Sequence, residues 1–136
     1  MPLPDDLEVF RACRRACLDA VHRALADDGP TLDDTQIGLL LDGAEVCETT
    51  IRFRRRTSTL HPRLCAACAE VCERCAELCE AYADDPVMRE CSEACRRCAL
   101  VCRQLADGGA PRTRSAGPPW RGALDDEPPQ ARRASA

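Results

Sequence analysis

Residues that avoid water recur every three or four positions through four stretches of this chain. In the third stretch Cys65, Cys68, Cys72, Cys75 and Cys79 follow at intervals of three, four, three and four; in the fourth Cys91, Cys95, Cys98 and Cys102 follow at four, three and four. On a helix the first set falls within an arc of about 80° and the second within about 60°, so each marks one face. In the first stretch Cys13 and Cys17 stand one turn apart. The second shows Leu40, Cys47 and Ile51 on one face and Leu39, Val46 and Phe53 on another. Two apolar faces on one helix predict a second buried contact, and so a homo-oligomer.

Breakers and caps delimit the four helices. The first runs from Asp5 to Ala26 and stops at the turn cluster Asp27-Asp28-Gly29-Pro30. Thr31 with Asp34 reads as a capping box, opening a second helix that reaches Arg56. The third starts near Thr59, tolerates Pro62 in its first turn and ends at Ala83. Asp85 caps the fourth, with Pro86 at its first position, and this helix runs to Asp107. Near-equal helices joined by short connections predict an all-α, antiparallel up-down four-helix bundle over residues 1–107. From residue 108 to 136 the chain is rich in Pro, Gly and Arg without apolar periodicity, which predicts a disordered tail carrying the single Trp120.

The cysteine stripes occupy a and d positions, which face the seams between packed helices. They therefore predict a Cys-lined interior. Composition changes what that interior is for. Among 136 residues there are 12 cysteines but only two Phe, one Tyr and one Trp. A core chosen for packing alone would use Leu, Ile and Val, which do not oxidise. The net charge of −4, with all 19 basic residues Arg, argues against a nucleic-acid-binding face. The first residues lack the apolar run of a secretory signal, and no stretch approaches the roughly 20 apolar residues of a membrane span. A cytoplasmic protein is expected, and in a reducing cytosol a dozen cysteines are better explained as metal ligands than as a disulfide framework.

The arrangement points to the metal. Structural zinc sites gather four ligands, commonly from two CxxC knuckles brought together by turns. Here Cys65/Cys68, Cys72/Cys75 and Cys95/Cys98 lie inside continuous helices and interleave with CxxxC pairs, forming a ladder. Soft thiolates with few harder ligands nearby select Cu(I), and bridging sulfurs would allow on the order of a dozen ions per chain. The alternatives are a discrete zinc or iron–sulfur site and a thiol-disulfide redox protein. Iron–sulfur ligation is disfavoured because the bacterial ferredoxin spacing and its following Pro are absent. Thiol exchange needs a low-pKa, partly exposed Cys at a helix N-terminus, and only Cys65 comes near that. A storage role without catalysis is the favoured reading. In an antiparallel bundle Cys13, Cys17 and Cys47 are expected level with Cys65, Cys68, Cys98 and Cys102 at one end. Cys75, Cys79, Cys91 and Cys95 are expected to face Ala20, Ala24 and Leu40 at the other. His61 continues the helix-three stripe and Met88 the helix-four stripe. Each is a candidate end ligand, weighed against a solvated first-turn residue and a core packer respectively; His22 reads as a surface residue.

The segments CAACAEVCERCAELC and CSEACRRCALVC resemble the copper storage proteins, over residues 5–107. The resemblance implies a four-helix bundle that binds many Cu(I) ions through interior cysteines, commonly as a homotetramer. It also implies ligation by all twelve cysteines, since each lies on an inward stripe. Helices one and two carry only three of them, fewer than well-filled relatives, which implies reduced capacity. Leu7, Phe10, Leu18, Val21, Leu41, Ile51, Leu64, Val71, Leu78 and Leu105 remain to hold the bundle together without metal.

Overall fold

A computed structural model describes residues 5–108. The tail predicted after residue 107, with Trp120, lies outside the described residues beyond Gly108. Among the described residues there are four helices: α1 Asp6–Leu25, α2 Asp34–Arg55, α3 His61–Glu80 and α4 Pro86–Gly108. Each packs against the next and α1 packs against α4, which closes a ring of four around one core.

Local chemistry sets the ends. Asp5 caps α1 by accepting a hydrogen bond from the Leu7 N–H at 3.2 Å. The capping box of α2 is Asp33 with Gln36, not Thr31 with Asp34. The Asp33 carboxylate accepts from the Gln36 N–H at 2.8 Å, and the Gln36 amide oxygen accepts from the Asp33 N–H at 2.9 Å. The longer Gln side chain reaches back one turn, as this reciprocal pairing requires. Helix α2 closes in a Schellman turn, with the Ser58 N–H bonded to the Phe53 carbonyl and the Thr57 N–H to that of Arg54. Thr57 occupies the left-handed position of that turn at φ 49°, where a β-branched residue is strained. At α4 the Asp85 carboxylate accepts from Val87 and Met88 N–H groups. It also pairs with Arg23 at 2.6 Å, tying the α3–α4 turn to α1.

Phe10, Leu40 and Met88 are the largest fully buried side chains, and the rest of the core is mainly Cys and Ala. Val21 and Ile51 are buried; Leu7, Leu18, Val71, Leu78 and Leu105 pack half-buried around the core, and Leu64 is also half-buried. Leu41 departs from expectation, being 45% exposed. Its neighbour Leu40 points inward, and one residue turns a helix by about 100°, carrying Leu41 to the outside. Glu70, Glu73, Glu80, Arg74, Arg96 and Arg103 form a charged outer face, joined as Arg74–Glu70, Arg103–Glu73 and Arg96–Glu80 pairs.

Candidate metal centre

All twelve cysteines are free thiols and all are buried. The helical 3-4 repeat explains this: Ala69, Ala76 and Ala99 sit beside the stripes, and their small side chains let α3 and α4 bring the two rows together.

At the centre, Cys13, Cys47, Cys72 and Cys98 contribute one sulfur from each helix, and the four sulfurs lie within 4.8 Å of one another. Finer geometry lies within and beside this set. The Cys47–Cys68, Cys47–Cys98 and Cys68–Cys98 separations are 3.9, 3.9 and 4.0 Å, a nearly equilateral triangle. Cys72 makes a second triangle on the Cys47–Cys68 edge, at 4.0 and 3.8 Å. An ion at the middle of either triangle would sit about 2.3 Å from each sulfur, a normal metal–thiolate length. Two edge-sharing triangles are three-coordinate sites with bridging sulfurs, the geometry open to Cu(I).

The ladder continues both ways. Toward the α2–α3 connection, Cys68, Cys98 and Cys102 form another close set, with Cys65 beside Cys102. In the other direction Cys13, Cys17 and Cys95 group together, at 3.6 Å for both Cys13–Cys95 and Cys17–Cys95. Cys91 follows at 3.8 Å from Cys95, and Cys79 borders Cys91. Cys17 thus belongs to the middle rather than to the Cys65 end. It lies past the midpoint of α1, and Cys95 lies near the midpoint of α4, so the antiparallel register brings them level.

At that level α2 supplies Gly43 instead of a thiol. A Cβ built there would lie 2.9 Å from the Cys75 sulfur and 3.0 Å from that of Cys17. The missing side chain is what lets these sulfurs close against the α2 backbone, where the Cys75 thiol also donates to the Leu39 carbonyl at 3.3 Å. Gly43 escaped the sequence reading, although it stands one turn before Cys47 on the inward stripe.

Neighbouring thiols hydrogen-bond to one another along the ladder. A hydrogen bond from the Cys102 thiol, reinforced by Cys47, Cys72 and Cys98, holds Cys68 well below the ordinary thiol range against the opposing effect of burial. Cys98 is pushed far up, first by its hydrogen bond to Cys102 and then by those to Cys13, Cys47 and Cys68, with burial adding to the shift.

The two ends differ. At the Cys65 end the half-buried His61 ring lies 3.4 Å from the Arg54 guanidinium through Nδ1. Arg54 also pairs with Asp6 at 3.0 Å. Burial, and then the Arg54 charge, lower the His61 pKa. A guanidinium only donates, so Nδ1 accepts and the proton sits on Nε2. His61 is therefore held against Arg54 rather than free in water, and the Arg54–Asp6 partnership was not legible in advance. At the other end Met88 is fully buried in the core, one turn from Cys91. His22 is exposed, as expected.

A family model described as copper storage protein matches residues 3–107. Among solved structures, the chain is similar to the Cu(I)-bound copper storage protein BsCsp3, with 27% sequence identity and a TM-score of 0.69. The alignment covers 74% of this chain and 94% of that one. No curated protein matches the sequence.

Proposed function

This chain belongs to the copper storage protein family, and from that premise we propose that its twelve core thiols are together the store. It binds and stores Cu(I), many ions at a time, and its role is storage rather than catalysis. The proposed ligands are Cys13, Cys17, Cys47, Cys65, Cys68, Cys72, Cys75, Cys79, Cys91, Cys95, Cys98 and Cys102. The observation that carries this assignment is the pair of edge-sharing sulfur triangles built on Cys47 and Cys68. Isolated zinc sites have no use for shared edges, whereas Cu(I) thiolate clusters are built from them. His61 and Met88 flank the ladder as proposed end ligands, His61 through Nδ1 once Arg54 releases it. The store is confined to residues 1–107, since the stretch from 108 to 136 contains no Cys, His or Met.

The test is anaerobic Cu(I) titration of the reduced protein against a chromogenic chelator, with thiols counted before and after. Uptake on the order of a dozen ions per chain is expected, with every thiol protected. Thiols held protonated in the apo bundle, such as Cys98, must release a proton to bind a metal, so affinity falls as pH is lowered and rises as it is raised. Uptake of one or two ions only, or tighter retention of zinc, would replace the store by a discrete site.

We further propose a cytoplasmic location and a homotetramer. Leu39, Val46 and Phe53 on α2 are half-buried in the single chain, and Leu41 beside them is exposed. Sedimentation equilibrium is expected to give an oligomer; a monomer at micromolar concentration would refute it.

A further inference from the structure

The two ends of the bundle carry opposite charge. At the Cys65 end Arg52, Arg54, Arg55 and Arg56 close α2 and Arg63 opens α3, and no Asp or Glu occurs between Glu48 and Glu70. Arg52 pairs with Glu48 and Arg54 with Asp6. Arg55, Arg56 and Arg63 are exposed, and among the described residues none of the three is in an ion pair. The nearby acids are largely engaged: Asp5 caps α1, Asp6 holds Arg54, Glu8 pairs with Arg11, and Asp107 at the end of α4 acts on Arg103. At the opposite end Asp27, Asp28 and Asp33 lie between α1 and α2, Asp34 opens α2, and Asp84 and Asp85 lie between α3 and α4. There Arg23 takes Asp28 and Asp85. Each end holds two helix N-termini and two C-termini, so the helix dipoles cancel and side chains set the sign.

We infer that the Cys65 end is the mouth through which copper is loaded, and that its basic rim receives Cu(I) as a small anionic thiolate complex rather than as the bare cation. The inference rests on the storage reading above and adds the direction and the donor. A bare cation would be steered to the acidic end, where Leu40 and Met88 fill the core. At the basic end Cys65 is the first thiol of α3, beside Cys102 and within reach of the Arg54 charge. Among the described residues the buried Arg54 Nε–H has no acceptor. Transfer is ligand exchange with no change of oxidation state: Cu(I) leaves two carrier thiolates for the Cys65 and Cys102 sulfurs, and the two protons these lose pass to the departing thiolates.

The test is the rate of anaerobic loading of the full chain from two donors at low ionic strength. One is the Cu(I)–glutathione complex, a carboxylate-rich anion; the other is the tetrakis(acetonitrile) Cu(I) cation. Electrostatic steering changes such rates by about 10- to 1000-fold. The triple variant Arg55→Glu, Arg56→Glu, Arg63→Glu is expected to load at least about tenfold more slowly from the glutathione complex and no more slowly from the cation, with the same final capacity. Added salt should slow the unmodified protein with the anionic donor. Asp27→Lys with Asp84→Lys at the far end should leave the glutathione rate unchanged. Full capacity with equal rates for the unmodified protein and the Arg variant, or faster glutathione loading in the Asp variant, overturns the mouth alone. Low capacity from both donors in the unmodified protein overturns the store itself, and the mouth with it.

Discussion

Alanine at Cys13, Cys47, Cys72 and Cys98 together is expected to remove about half of the copper capacity, more than four lost ligands out of twelve account for if sulfurs are shared between ions. These four sulfurs come one from each helix and lie within 4.8 Å of one another. Cys47 and Cys98 are corners of one triangle and Cys47 and Cys72 of the other, and Cys98 also belongs to the set with Cys68 and Cys102. The matched control replaces Cys65, Cys79, Cys91 and Cys102, the outer members of the rows, which have fewer sulfur neighbours. Anaerobic titration of the two variants decides the matter, with far-UV circular dichroism to confirm that both apo forms remain helical. Equal losses would mean independent sites, and the shared-edge geometry would then have no functional meaning.

Phe10→Ala is expected to destabilise the copper-free bundle by about 3–5 kcal/mol, the range for truncating a buried aromatic. Phe10 is fully buried, and the rest of the buried core is mainly Cys and Ala, which supply little apolar area. For a domain near 100 residues each kcal/mol is worth about 4–8 °C, so the apo midpoint should fall by more than ~10 °C. The copper-loaded form should lose much less. Metal–sulfur bonds joining all four helices hold the native state by mass action, subject to whatever copper the unfolded thiols also bind. Thermal unfolding of both forms, followed by circular dichroism, tests this. An apo midpoint unmoved by the substitution would show that the thiols pack well enough to hold the tube without it.

The contrast between the two substitutions shows how the chain divides its work. Sulfurs fill the interior and define its chemistry, while a few large residues, Phe10, Leu40 and Met88, supply most of its bulk. A preformed tube has a cost: thiols are brought within 4 Å of one another before any ion neutralises them. Hydrogen bonds between thiols, as between Cys47 and Cys98 at 3.9 Å, make that proximity tolerable in the apo state.

The four helices, their order and the inward face of α3 and α4 were legible in the sequence, because spacing along a helix converts directly into direction around it. Breakers such as Asp27-Asp28-Gly29-Pro30 and the Asp85-Pro86 start are local signals and marked the boundaries to within a few residues. The α2 start was misread at Thr31 because two acids and a Thr compete there, and the side chain long enough to complete the box is Gln36. Leu41 was misassigned to the core because a run of three leucines does not say which of them faces inward.

What the sequence by itself determined was the set of thiols, the helices that carry them and the soft metal they suit, all of which follow from residue type and period. Only the tertiary structure decided which sulfurs meet: that Cys17 joins Cys95, that Cys47 and Cys68 share an edge between two triangles, that Gly43 opens the α2 wall, and that Arg54 links Asp6 to His61 over one end. The reason is physical. The period of a helix sets the direction of each side chain, but the level at which one helix stands beside another depends on caps, connection lengths and packing summed over all four, and a shift of one turn changes every partner.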